Sequence, residues 1–133
     1  MRRLEATFCS NRTHHWSFAG GFGRIDVLVN DEGFALLGPL EGVSPEDPAN
    51  QFDTNVLGVI GMTQMVLPLM REAGGGIIVN VSSMGGLLTF PLLSAYHATK
   101  FAIEGFTETL QYEVAQHGIR LKLVEPWGRT NFV

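Results

Sequence analysis

The sequence has a single cysteine, Cys9, among 133 residues. An intrachain disulfide is therefore excluded, and the chain has no Cys-x-x-Cys pair for zinc. A lone thiol fits a reducing cytosol. Positive charge is scarce: nine Lys and Arg stand against thirteen Asp and Glu, for a net charge of −4. The one basic cluster, Arg2, Arg3 and Arg12, is solvated charge near the start, so no nucleic-acid partner is expected. Long hydrophobic runs are missing too. The most apolar stretch, Val56 to Met70, falls short of the ~18 residues of a membrane span and contains Thr63 and Gln64. No charged-then-apolar leader stands at the start. His14 and His15 lack a third ligand at metal-like spacing, so no metal is expected. Together these absences predict a soluble, cytoplasmic protein with no membrane partner. What is present is globular, 45% hydrophobic and 17% charged, in a length that suits one domain.

Residues 1–24 have no clear periodicity and read as an irregular N-terminal segment. From residue 25 to residue 133 the pattern is regular. Ile25 to Asn30 is a short apolar, β-branched run ending in a turn-like Asn30-Asp31-Glu32-Gly33, as in a buried strand. A loop rich in Gly and Pro follows. A helix is then expected from Asp47 to about residue 73. Ser44 and Asp47 are both good N-caps followed by proline. Asp47 is favoured, because a start at Ser44 would put Pro48 where an amide is needed. Phe52, Val56, Val59, Ile60, Thr63, Leu67 and Met70 form its apolar stripe. Pro68 should kink it, and Gly74 to Gly76 should end it.

Gly76 to Val81 reads as a second buried strand, and about 94–117 as a second helix stopped by Gly118. Ile119 to Val124 reads as a third strand. The order strand-helix-strand-helix-strand implies an α/β fold with a parallel sheet and right-handed crossovers. Ligands in such sheets bind outside the carboxyl ends of the strands. Here those ends are Asn30 to Gly33, Ser82 to Gly86 and Pro126 to Thr130.

Chemistry concentrates there. Tyr96 and Lys100 lie four apart on a predicted helix, just over one turn, so both side chains project from one face. A tyrosine with a pKa near ~10 is a poor base at neutral pH. A lysine ammonium within a few ångströms favours the phenolate and lowers that value. The pair is thus either a proton donor and acceptor or an ordinary surface pair. Ser83 follows a buried strand directly. Its hydroxyl either donates to a substrate carbonyl or only makes a turn with Ser82. Asn55 stands mid-helix, where asparagine is a below-average helix former. Its amide either holds a water or a backbone carbonyl or faces solvent.

Asn55, Ser83, Tyr96 and Lys100, in this order and spacing, resemble the catalytic tetrad of the short-chain dehydrogenase/reductase family. The surrounding strings resemble the family as well. They are Val27 to Gly33 after a strand, Asn55-Val56-Leu57-Gly58 on a helix, Ile78 to Ser83, and Val124-Glu125-Pro126. The match covers about residues 22–133, and its flavour is closest to the 17β-hydroxysteroid dehydrogenase-like branch. The resemblance implies a partial Rossmann-like three-layer fold whose first strands are missing. It implies hydride transfer between NAD or NADP and a small-molecule secondary alcohol or ketone. Tyr96 would be the general acid/base, and Lys100 would lower its pKa and bind the nicotinamide ribose. Ser83 would polarise the carbonyl, and Asn55 would support a water of a proton relay. Asn30, Gly33, Tyr96, Lys100, Pro126, Gly128 and Thr130 would border the cofactor. The two long helices would pair with those of a second copy in a homo-oligomer.

The chain also departs from the family. Gly20-Gly21-Phe22-Gly23 precedes a strand and opens no helix, so it fails as a pyrophosphate-binding turn. The residue that distinguishes NAD from NADP is not legible. Asp31-Glu32 replaces an expected Asn-Ala. It either puts negative charge near the cofactor or makes a solvent-facing turn. Trp127 stands where the family has glycine. The first strand would also present an apolar edge, which predicts a marginally stable or self-associating chain. Two other classes compete. A hydrolase would need Gly-x-Ser-x-Gly, and Val81-Ser82-Ser83-Met84-Gly85 lacks the first glycine. The second is an inactive fragment that keeps only a helix-mediated association surface; cofactor binding discriminates it from the enzyme.

Overall fold

The computed structural model describes residues 24–126. The irregular segment expected over residues 1–24 therefore lies, but for Arg24, outside the described residues. Three strands form one parallel sheet in the order β1 (Val27–Asn30), β2 (Gly76–Val81), β3 (Ile119–Val124). The register sets Leu28 beside Ile78 and Ile78 beside Leu121. Residues alternate across a strand, so these three share one face. That face is covered by α2 (Gly58–Glu72) and α3 (Ser94–Val114). Val66 and Met70 of α2 and Val114 of α3 are fully buried against Ile78 and Ile119. This is the hydrophobic core, and the order strand-helix-strand-helix-strand is as the sequence predicts. On the opposite face Val27 and Val29 are 52% and 57% exposed, so among the described residues helices cover one side only.

Two boundaries differ from expectation, each for a physical reason. The first helix, α1 (Glu46–Phe52), starts one residue before Asp47, so Asp47 is not its cap. Pro48 is then its third residue, where a backbone amide has no partner within the helix and its loss costs nothing. The single helix expected from Asp47 to residue 73 is also interrupted. A π turn, Asp53–Leu57, separates α1 from α2. Pro68 lies inside α2. At the other end α3 continues into a 3₁₀ turn and stops at Gly118, whose φ of 70° is left-handed, as the glycine predicts.

Polar side chains inside the core fix where the strands stop. Asn30 Nδ2 donates to Asn80 Oδ1 at 2.7 Å, and Asn80 Nδ2 donates to Thr107 Oγ1 at 2.8 Å. A weaker contact of 3.5 Å joins Asn30 to Thr63 of α2. Buried amides must be satisfied, so this ladder ties the carboxyl ends of β1 and β2 to the helices beneath them.

Candidate active site

The loops leaving the sheet enclose a cavity of about 400 Å³. The loop after β1 contributes Asp31, Glu32, Gly33 and Ala35. The end of β2 and its loop contribute Val81, Ser82 and Ser83. Tyr96 and Lys100 close it from the first turns of α3, with Pro126 beyond β3.

Ser83 has extended backbone, and its Oγ accepts the Gly85 amide at 3.0 Å, capping the turn Met84–Gly86. The hydroxyl hydrogen is thus free to be donated. Lys100 Nζ donates to Val81 O at 3.1 Å and lies 5.8 Å from the centre of the Tyr96 ring, within cation–π range. Burial pushes the Lys100 ammonium below its usual value, and the nearby carboxylates of Asp31 and Glu104 oppose that shift.

Asn55 stands in the π turn, a feature that often marks functional positions. Its Oδ1 accepts the Phe34 amide at 3.1 Å, and its Nδ2 donates to Phe34 O at 2.9 Å. The same Nδ2 donates to Thr99 Oγ1 at 3.1 Å, and Thr99 in turn donates to Tyr96 O at 2.7 Å. Gln51 Nε2 also donates to Phe34 O, at 2.8 Å. Asn55 therefore joins the loop after β1 to the turn of α3 that carries Tyr96. A side chain at Gly33, where φ is 156°, would come within 3.1 Å of Asn55 Oδ1.

Of the residues singled out in the sequence, Gly33, Ser83, Tyr96, Lys100 and Pro126 share the cavity. Asn30 turns its side chain into the core ladder and Asn55 lies behind the loop, so neither lines it. Trp127, Gly128 and Thr130 lie outside the described residues. Sequence reasoning missed Thr99 and Gln51 as supports. Thr99 had a local signal, three residues after Tyr96 on the same helix; Gln51 had none.

His97 does not line the cavity. It is 5% exposed and clamps the loop after β2. Its Nε2 accepts the Phe90 amide at 2.8 Å, and Nδ1 lies 2.8 Å from Gly85 O. An amide can only donate, so the ring proton belongs on Nδ1, where it donates to Gly85 O. Glu104, one turn beyond Lys100, is buried beside Ser82 and Gly86. Burial raises its carboxyl above the usual range; the Ser82 hydroxyl counters this from nearby, though it makes no regular hydrogen bond among the described residues. Among the described residues no group of three His, Cys, Asp or Glu could hold a metal, and no helix is long and apolar enough to cross a membrane.

The chain is similar in sequence and fold to known proteins. The short chain dehydrogenase family model matches residues 15–130. Human 17-beta-hydroxysteroid dehydrogenase type 1 is 42% identical over 103 residues, which are 77% of this chain and 31% of that protein. A short-chain dehydrogenase from Streptomyces avermitilis superposes with a TM-score of 0.78 at 45% identity, over 83% of this chain and 41% of that one. A gluconate 5-dehydrogenase from Burkholderia cenocepacia, solved with NADP and tartrate, gives 0.76 at 33% identity, over 78% and 41%. The chain spans less than half the length of the curated relatives it matches, 44% for the first of them.

Proposed function

The chain belongs to the short-chain dehydrogenase family, and from that premise we propose that it is an NAD(P)-dependent oxidoreductase acting on a secondary alcohol or ketone. The observation that carries the reading is the convergence of Tyr96, Lys100 and Ser83 on one cavity at the carboxyl end of a parallel sheet. Tyr96 gives a proton to the carbonyl oxygen, or takes one from the alcohol. The Lys100 cation beside it stabilises the phenolate that this leaves. The Ser83 hydroxyl donates to the same substrate oxygen, where negative charge grows during reduction. Asn55 positions rather than reacts: it holds Phe34 and, through Thr99, the Tyr96 turn.

The cavity fits the nicotinamide end of the cofactor. Tyr96 and Lys100 present a hydroxyl and an ammonium to a ribose, and Gly33 leaves its wall free of a side chain. Asn30 serves this wall by fixing the end of β1, and Pro126 borders it from β3. The cofactor, when bound, supplies or accepts the hydride. Asp31 and Glu32 bring carboxylates to the same wall, and Lys100 is the only cation lining it among the described residues. Pyrophosphate therefore finds little attraction here, and affinity should rest on the nicotinamide half.

The test is a titration of the chain with NADH and NADPH followed by nicotinamide fluorescence, with turnover assayed in parallel. Saturable binding is expected. Tyr96→Phe should keep binding and lose turnover by about 10²–10⁴-fold, the usual contribution of a placed proton donor. Absence of binding at millimolar cofactor would replace this reading with a second one, an inactive fragment that associates through its helices. A groove of about 430 Å³ between α2 and α3, floored by Ile60, Leu67, Phe106 and Leu110, supports that pairing surface. It is also where a homo-oligomer of the active protein would form.

A further inference from the structure

Glu104 is a buried acid that does not line the cavity. It lies four residues beyond Lys100 on α3, as Lys100 lies four beyond Tyr96. Residues at this spacing share a helix face, so Tyr96, Lys100 and Glu104 form one row. At the far end of that row the carboxyl meets the turn after β2. A Cβ on Gly86 would lie 2.7 Å from Glu104 Oε1 and 2.8 Å from Ser82 Oγ. Both oxygens crowd the space a side chain would fill, one from the helix and one from the strand end. Glu104 is 9% exposed and Ser82 4%. Neither oxygen makes a regular hydrogen bond among the described residues, and a buried polar atom without a partner calls for a reason.

The turn that Glu104 meets is the one that presents Ser83. Within it the Gly85 amide donates to Ser83 Oγ, the Gly86 amide to Ser83 O at 2.9 Å and the Leu87 amide to Met84 O at 3.0 Å. At its base the Val81 carbonyl anchors Lys100 Nζ. A movement of Ser82 therefore moves both the Ser83 hydroxyl and the anchor of Lys100. The surroundings favour a neutral carboxyl. Burial raises Glu104 above the usual carboxylate range, Glu125 past β3 and Glu108 on α3 add to the rise, and the Ser82 hydroxyl and Lys100 oppose it. The chain from Ser82 to Leu93 carries no charged residue. Two other titratable side chains, His97 and Tyr96, lie against the turn at Gly85.

We propose that Glu104 is a positioning residue: its protonated carboxyl holds the Ser82–Gly86 turn in the form that presents Ser83, and loss of that proton loosens the turn. This rests on the reading of Ser83 as the donor to the substrate oxygen. A carboxylic acid has a hydroxyl to donate and an oxygen to accept, so it and the Ser82 hydroxyl satisfy each other after a small rotation of either. A carboxylate has acceptors only and faces the carboxylates of Glu108 and Glu125. It gains by turning out to water, and the space it leaves beside Gly86 frees the turn. The serine is thus firmly held while Glu104 keeps its proton and slackens as pH rises past that point.

The test is amide hydrogen exchange followed by NMR across pH, on the whole 133-residue chain without cofactor, for the parent and Glu104→Gln. Glutamine keeps the size of the side chain and a donor but has no proton to lose. In the parent, protection of the Gly85 and Leu87 amides should fall above the ordinary carboxylate range, by about 10-fold for each pH unit by which the closed turn raises Glu104. In Glu104→Gln it should stay level. Glu104→Ala should lack this protection at every pH; if that variant does not fold, the glutamine comparison decides. An equal fall in parent and Glu104→Gln would overturn the proposal, since the titrating group would then be His97 or Tyr96. Protection that falls with pH at Ile78 in β2 but not at Gly85 and Leu87 would overturn it too, because Glu104 would then hold the fold and not the turn. Where the chain turns over a ketone, kcat of the parent should fall across the same window relative to Glu104→Gln. The exchange result without any turnover would support the hold of Glu104 on the turn and overturn the oxidoreductase reading by itself.

Discussion

Lys100 and Glu104 stand one turn apart on α3, and burial moves them in opposite directions. Lys100 is pushed below its ordinary value chiefly by burial, and Glu104 is raised above its own, again chiefly by burial. For Glu104 the unfolded chain loses its proton first as pH rises. Stability therefore falls across the window from the ordinary carboxylate value up to the raised one, and the cost is fully present above it. Glu104→Gln should match the parent's thermal midpoint in acid and exceed it at neutral pH. A difference that stays constant across that window would show that the carboxyl's charge is not what costs stability. For Lys100 the sign is the reverse in pH. The penalty is present below its lowered value and disappears as pH rises toward the ordinary lysine range. Lys100→Met should thus raise the midpoint at neutral pH while abolishing turnover, the trade expected of a group kept for chemistry. Spacing put Tyr96 and Lys100 on one helix face and Ser83 at a strand end, but only the resemblance to a known family singled them out as a site. Glu104 and His97 were not legible in the sequence. Their partners, Gly86 and Ser82 for one and Gly85 and Phe90 for the other, are set by the path of a loop that has no periodicity to read.

The strands and helices were legible in order, because apolar runs and periodic stripes encode them directly. The interruption at Asp53–Leu57 was not. A π turn differs from the α-helix around it by one residue per turn, and the apolar stripe from Phe52 to Met70 tolerates that slip. Asn55 gives the turn its purpose, since its amide reaches both Phe34 and Thr99. Two glycines separate the effect of backbone shape from that of composition. Gly75 has a φ of 147°, and a Cβ there would lie 2.7 Å from Gly118 O, a backbone atom that cannot swing aside. Gly75→Ala should destabilise by about 1–3 kcal/mol, because β2 begins at the next residue and must shift against the end of β3's connection. Gly105 lies within α3 with nothing inside 4 Å of a new Cβ. Gly105→Ala should stabilise by about 0.5–1 kcal/mol, the helical advantage of alanine over glycine. Denaturant midpoints for the two variants should move in opposite directions. If both fall, the groove beside Gly105 is occupied by something that an added methyl displaces.

The three strands are not equally suited to a sheet covered on one side. β3 alternates, with Ile119 and Leu121 buried and Arg120 and Lys122 exposed, which is the pattern of a strand with one wet face. β1 and β2 are apolar on both faces, as strands are when both sides are covered. Among the described residues α2 and α3 supply one cover, so Val27, Val29, Ile77 and Val79 form an apolar strip over paired positions that no helix covers, exposed at Val27 and Val29 and half-buried at Ile77 and Val79. β1 also pairs only with β2 there, which leaves its outer row of amides and carbonyls without a strand partner among the described residues. An apolar face next to an open edge is a template for association. The 133-residue chain should therefore sediment with a mass that rises with concentration. Val29→Lys should suppress this, since the register places the new cation on the same face as Lys122, with Val79 between them, and charge on an open edge opposes pairing. The variant should retain its helical signal, because position 29 is exposed and makes no core contact that folding requires. A parent chain that stays monomeric at every concentration would mean that residues outside 24–126 cover the strip, and Val29→Lys would then lower the thermal midpoint instead of the sedimenting mass.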